Sequence, residues 1–421
     1  VLMRRTLAVA VAATLAAGLA PAAAQAHPAA QDRYKRVAYF VQWGIYGRNF
    51  HVKDVETSGE AAKLTHLNYA FGFVGPEGTC YSADPWADWQ RGVSAEESVD
   101  GVADAGDQPL KGNLNQLKKL KAKHPGLKVL VSLGGWTGST YFSDAVLTPE
   151  SRARLAASCV DLWLKGDLPG LPAGAGAGVF DGIDLDWEWP GSSGNDGNVI
   201  RPEDRRNYTL FLAELRRQMR AFDRNTQLTA FLPAAAAKID AGFEVAKVFD
   251  QLDFATVQGY DLHGPWENRT GHQSNLLTDP RDPNPVRYSV DQTVRDFISR
   301  GAPARKIVVG VPAYGQGWTG VTSTGNGLYA PATGPAPGTW AAGSDDYKNL
   351  VNKPGKRYRD LRTGTMWLYD GTEFWSYDDP AVLLEKAAYI RLKGLGGSMI
   401  WSIDQDDAKG SLTSALYSVL G

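Results

Sequence analysis

The chain has 421 residues, 43% hydrophobic and 21% charged, enough to bury one large core or two ordinary ones. Its 44 basic and 46 acidic side chains leave a formal charge of −2, which excludes a polyanion-binding surface built on excess positive charge. Beyond the first 26 residues no stretch approaches the about 18 continuous apolar residues that a membrane span needs.

Residues 1–26 read as a secretory leader: Arg4 and Arg5, an apolar run from Leu7 to Leu19, then Ala24-Gln25-Ala26 as a small-x-small cleavage site. The mature chain is expected to begin near His27 and to be secreted and extracellular. In an oxidising compartment Cys80 and Cys159 can pair, although their separation in sequence leaves the matter to geometry.

From Tyr34 onward, eight β-rich runs alternate with helical patterns. The runs are Val37 to Trp43, Leu64 to Phe73, Leu127 to Gly135, Val179 to Asp186, Gln227 to Leu232, Phe254 to Tyr260, Lys306 to Ala313 and Gly397 to Ile403. Helical stretches lie between them at Leu114 to Lys123, Pro149 to Leu164, Pro202 to Phe222, Ser289 to Arg300 and Pro380 to Lys393. Eight alternations predict an α/β fold, a (β/α)8 TIM barrel, with polar and aromatic residues gathered at the C-terminal ends of the strands where such barrels place chemistry. A barrel needs about 250 residues, so insertions are expected. One runs from Val74 to about Pro109 and carries Trp86 and Trp89; a larger one, residues 317–375, is long enough for a small α+β subdomain after the seventh strand.

The fourth run ends in Asp181-Gly182-Ile183-Asp184-Leu185-Asp186-Trp187-Glu188-Trp189-Pro190. Alternate residues of a strand share a face, so Asp184, Asp186 and Glu188 are expected to form one acidic file, with Pro190 stopping the strand beyond it. Carboxylates crowded on a buried face cannot all stay ionised, because desolvation and mutual repulsion raise their pKa values. At least one proton should be retained near neutrality. Glu188, at the end of the run, is best placed to use it as a general acid. Asp181 has the opposite parity and reads as structural support. A calcium loop does not fit, since the twelfth position counted from Asp184 is not an acid and its sixth is not Gly.

The six His residues form no pair with carboxylates at a zinc-binding spacing; His66 and His263, near strand ends, read as structural or as cleft hydrogen-bonders. No Gly-rich phosphate loop and no basic stripe for nucleic acid is present, so neither metal nor cofactor is expected.

The acidic run resembles the Asp-x-x-Asp-x-Asp-x-Glu signature of family 18 glycoside hydrolases, the chitinases and their relatives, and it matches at all four acids. The likeness continues through Tyr39-Phe40-Val41-Gln42-Trp43-Gly44, Ser132-Leu133-Gly134-Gly135-Trp136, Gln258-Gly259-Tyr260-Asp261, Gly310-Val311-Pro312-Ala313-Tyr314-Gly315 and Gly397-Ser398-Met399-Ile400-Trp401-Ser402. Residues 27–421 thus look like one catalytic domain. The resemblance implies hydrolysis of chitin and chito-oligosaccharides in which the substrate's own 2-acetamido oxygen attacks C1, so that a single acid/base, Glu188, suffices. It implies that Asp186 holds the acetamido N–H, that Asp184 shares a proton with Asp186, and that Tyr260 donates to the acetamido oxygen. Asp261 becomes a polar contact near the scissile bond and Trp401 the floor under the distorted sugar. Trp136 and Trp266 fall on the leaving-group side, Trp43 on the other, and Tyr39 and Tyr314 at cleft positions. The sequence departs from the family at Gln258, where a Met is usual, and at Gln316, where relatives often have Arg. A monomer without nucleic-acid or membrane partners is expected. A chitin-binding lectin would keep the aromatic cleft and lack the acid, and an endo-β-N-acetylglucosaminidase acting on glycans would share the chemistry on another substrate.

Overall fold

Eight parallel strands form a closed ring: β1 Lys35–Val41, β2 His66–Val74, β3 Lys128–Gly134, β4 Gly182–Asp186, β5 Gln227–Leu232, β6 Phe254–Val257, β7 Ile307–Pro312 and β8 Gly397–Trp401. Each pairs with the next, and β1 closes the ring by pairing with both β2 and β8. The computed structural model describes residues 33–421, so the leader expected over residues 1–26 lies outside the described residues. The strands are buried almost throughout, as expected where helices cover the outside and side chains fill the inside of a barrel.

The covering helices start and stop where their chemistry says they should. Pro149–Cys159 is capped by Thr148, whose side chain accepts from Ser151 N, with Pro149 in the first turn; Pro380–Lys393 is capped by Asp379 and ends at the left-handed Gly394. Asp204–Phe222 and Val290–Ser299 also match their sequence patterns. The helices Ala236–Gly242, Val245–Gln251 and Ser411–Leu420 are among those the sequence pattern does not mark. The first two have only seven residues each, too short for a 3.6-residue period to stand out.

The excursion after β2 is tied down twice. Cys80 and Cys159 form a disulfide, fastening it to the helix Pro149–Cys159. The buried Asp88 accepts from Gln42, Tyr69 and Ser82, fastening it to the end of β1 and the middle of β2. Between β7 and the helix Pro380–Lys393 lies a six-stranded antiparallel sheet: Tyr314–Thr319, Gly334–Pro335, Ser344–Asp346, Lys356–Asp360, Thr365–Tyr369 and Phe374–Tyr377. It has an apolar cluster of its own, built on Trp318, Val321, Trp367, Tyr369 and Phe374. At the opposite end of the ring the two extremities of the described chain meet: Lys35 N donates to Gly396 O, and the Arg36 guanidinium to Leu420 O at 3.0 Å. Among the described residues no helix is long and apolar enough to cross a membrane.

Candidate active site

Asp184 sits in the middle of β4, level with Ser132 on β3 and Thr229 on β5. That register lets both neighbours donate to it, Ser132 Oγ at 2.8 Å and Thr229 Oγ1 at 2.5 Å, while Tyr39 of β1 reaches across the barrel with its hydroxyl at 2.6 Å. Burial raises the Asp184 pKa and the three hydroxyls oppose the rise. Both of its oxygens are thereby engaged by hydroxyl groups. None of the three comes from Asp186.

Asp186, the last residue of β4, is 3% exposed, and its Oδ1 has no hydrogen-bond partner. Burial, then the charges of Glu188 and Asp184, hold its pKa far above the usual carboxylate range. A buried carboxylate oxygen without a donor is costly unless a ligand supplies one. The strand beside it cannot carry a side chain: Gly134 has φ 113°, and a Cβ there would stand 2.3 Å from Asp186 O.

Glu188 corrects one detail of the sequence reading. The strand ends at Asp186 rather than running on to Pro190, so Glu188 stands in the loop beyond it. The loop is held from both sides, since Glu188 N donates to Ser139 Oγ at 2.8 Å and Glu188 O accepts from Asn198 Nδ2 at 2.8 Å. The backbone of the acid is therefore fixed although it lies outside the sheet. Burial and repulsion from Asp261 push Glu188 up to about 8, and the nearby Lys238 ammonium pulls the other way.

Tyr260 and Asp261 follow β6. Tyr260 is 5% exposed and packs edge-on against Tyr314 and flat against Phe231. Asp261 adopts φ 55° and takes two donors on one oxygen, Tyr314 OH at 2.6 Å and Gln316 Nε2 at 2.7 Å. Gln316 therefore meets the carboxylate as a neutral donor. Gln258 accepts from Ala234 N at 3.3 Å. Trp401, at the end of β8, lies flat against Phe71 and is met edge-on by Tyr39.

These side chains meet in one cavity of about 300 Å³, lined by Tyr39, Trp43, Trp136, Asp186, Glu188, Tyr260, Asp261, Tyr314 and Trp401 among others. A wider outer cavity of about 820 Å³ shares Trp136, Glu188, Gln258 and Asp261 with it and adds Trp266. Of the residues expected in the site, only Asp184 lines neither cavity; it lies two residues behind Asp186 on β4. Trp43, Trp136 and Trp266 are 40%, 49% and 64% exposed, wide apolar faces left open to solvent on a cleft rim. The sequence reading missed Phe71, Phe231, Lys238, Glu267 and Tyr288. Phe71 and Phe231 sit near the C-terminal ends of β2 and β5, a position that could have flagged them. Lys238, Glu267 and Tyr288 belong to loops and a short helix with no local pattern to single them out. Among the described residues no group of three His, Cys, Asp or Glu side chains is arranged to hold a metal ion.

The arrangement offers a carboxyl with its pKa raised to about 8 where the two cavities meet, a second buried carboxyl with one oxygen unpartnered, a phenol, and aromatic faces. The model of glycosyl hydrolases family 18 matches residues 35–406. Chitinase C of Streptomyces lividans is 40% identical over 89% of this chain and 58% of its own length. Chitinase 63 of Streptomyces plicatus is 38% identical over 91% and 60%. The chain thus spans about three-fifths of these curated relatives. The catalytic domain of a psychrophilic chitinase B from Arthrobacter TAD20 superimposes with a TM-score of 0.89 at 44% identity, covering 92% of this chain and 95% of that one.

Proposed function

The chain belongs to glycosyl hydrolases family 18, and on that premise we propose that it hydrolyses the β-1,4 bonds between N-acetylglucosamine units of chitin and chito-oligosaccharides with retention of configuration. The observation that carries this reading is the Asp186 Oδ1, buried with no hydrogen-bond partner in the cavity that Glu188 also lines, with the Glu188 pKa raised to about 8 beside it. An acetamido N–H is the donor that oxygen lacks. With the N–H held by Asp186 and the carbonyl oxygen steadied by Tyr260 OH, that oxygen attacks C1 as Glu188 passes its proton to the departing glycosidic oxygen. An oxazolinium ion and a Glu188 carboxylate result. Water then enters at C1, giving its proton to Glu188 and restoring the acetamide, so the product keeps the β configuration.

Tyr39, Ser132 and Thr229 hold Asp184 behind this pair and keep the negative charge near the cation that develops. Trp401 forms the floor under the distorted sugar, with Trp43 on one side of the cut and Trp136 and Trp266 on the leaving-group side. Export from the cell through residues 1–26 belongs to the same proposal, and the Cys80–Cys159 disulfide supports an oxidising compartment. A lectin reading is disfavoured by the intact acid.

Proton NMR of the products from a chitin hexamer, recorded before mutarotation, tests the mechanism. The first reducing ends should be β, and Glu188→Gln should lower kcat by about 10³-fold or more. Initial α product would mean direct attack by water and would remove the roles given to Asp186 and Tyr260.

A further inference from the structure

Six residues of the outer cavity, Gln258, Asp261, Leu262, Trp266, Glu267 and Tyr288, come from a single segment between β6 and the helix Val290–Ser299. The segment has almost no regular structure, so something else must hold it. His263 is 2% exposed and engages a carboxylate at each ring nitrogen: Nδ1 lies 2.9 Å from Glu267 Oε2, and Nε2 lies 3.0 Å from Asp282 Oδ2. A neutral imidazole has one N–H and can donate to only one carboxylate, so the geometry requires an imidazolium. Each partner is anchored in turn. Glu267 O accepts from Trp318 Nε1 at 3.2 Å, and Asp282 accepts Asn284 N on its side chain and Arg287 Nε on its carbonyl. His263 therefore links the start of the segment, with Trp266 and Glu267, to its far limb, which ends at Tyr288.

We propose that His263 is a positioning residue for the leaving-group side of the cleft: clamped between Glu267 and Asp282, it fixes the wall that carries Trp266 and Tyr288, and so sets how firmly the sugars beyond the scissile bond are held. The inference rests on the glycosidase reading above. The groups facing the ring are Glu267 and Asp282, the neutral Asn284, and His272, which burial pushes down to about 4 and so keeps uncharged. Burial works against the His263 charge, but the hydrogen bonds to Asp282 and Glu267 outweigh it and hold the group up to about 9. The clamp is closed below that pH and opens above it.

The test is steady-state kinetics of the full chain, its His263→Gln and its Asp282→Asn variants, on a chitin hexamer and on nitrophenyl chitobioside, whose leaving group is a single ring. The hexamer KM of the wild type should rise above about pH 9. His263→Gln should raise it about tenfold at neutral pH with kcat changed far less, and with a smaller effect on the aryl substrate. Asp282→Asn keeps an acceptor but removes a charge that supports the proton, so its rise in KM should begin at lower pH. A role in folding alone would give losses independent of pH. The proposal is overturned if the wild-type KM stays flat through pH 9, or if a folded His263→Gln binds the hexamer as the wild type does, or if both substrates lose equally. Should His263→Gln fail to fold, the pH shift in Asp282→Asn decides. If the wild type cleaves neither substrate, the glycosidase reading falls, and hexamer binding followed by tryptophan fluorescence over the same pH range decides the positioning role separately.

Discussion

Glu188 has to hold a proton in water near neutrality, which an ordinary glutamic acid does not do. Burial and Asp261 hold the proton on, and Lys238 limits how tightly. The active form is the protonated one, so kcat/KM should be intact below about pH 8 and fall as pH rises through it. Lys238→Met removes the charge that lowers the Glu188 pKa and should move that alkaline limb to higher pH. A pH profile of kcat/KM on a chitin oligomer reads both effects, and a limb that stays put in Lys238→Met would show the lysine to be electrostatically silent. Lys238 stacks its ammonium on Trp189 at 5.3 Å, so the variant keeps an apolar side chain there to preserve the packing.

The β4 run was legible because its acids interrupt an apolar sequence at a period of two, a pattern that survives without knowledge of neighbours. Its end was less legible. Glu188 continues the alternation, yet the backbone leaves the sheet after Asp186 because Ser139 and Asn198, remote in sequence, capture it. The same limit applies to the disulfide, since only the fold brings Cys80 and Cys159 to a Cα separation of 5.0 Å. That bond closes a long loop between the β2 excursion and the helix Pro149–Cys159. Replacing both cysteines by serine should lower the unfolding free energy by about 2–5 kcal/mol, measured by urea denaturation. An unchanged midpoint would mean that the Asp88 hydrogen bonds alone secure the excursion.

Across the whole molecule, burial raises the pKa of several acids in the native state. Glu60 is pushed up to about 8 by burial and by Asp406, Asp88 to about 7 by burial, and Asp406 to about 6. The folded chain binds protons there that the unfolded chain releases, so these groups make stability fall as pH rises. His66 and His272, both pushed down to about 4 by burial, have the opposite slope, but only below their unfolded value of about 6.5. Above that value they are silent, while His263 adds its own loss through about 9. The melting temperature should therefore decline from pH 6.5 to pH 9, followed by calorimetry; a rise across that window would contradict the buried protons. The ring of strands has a further consequence at its other face. Because the Arg36 guanidinium grips Leu420 O, the first and last elements of the described residues are already neighbours. A short glycine-serine bridge from residue 421 to residue 33 would ask little of the fold. A circularly permuted chain, opened instead at a surface turn, should keep the cleft intact.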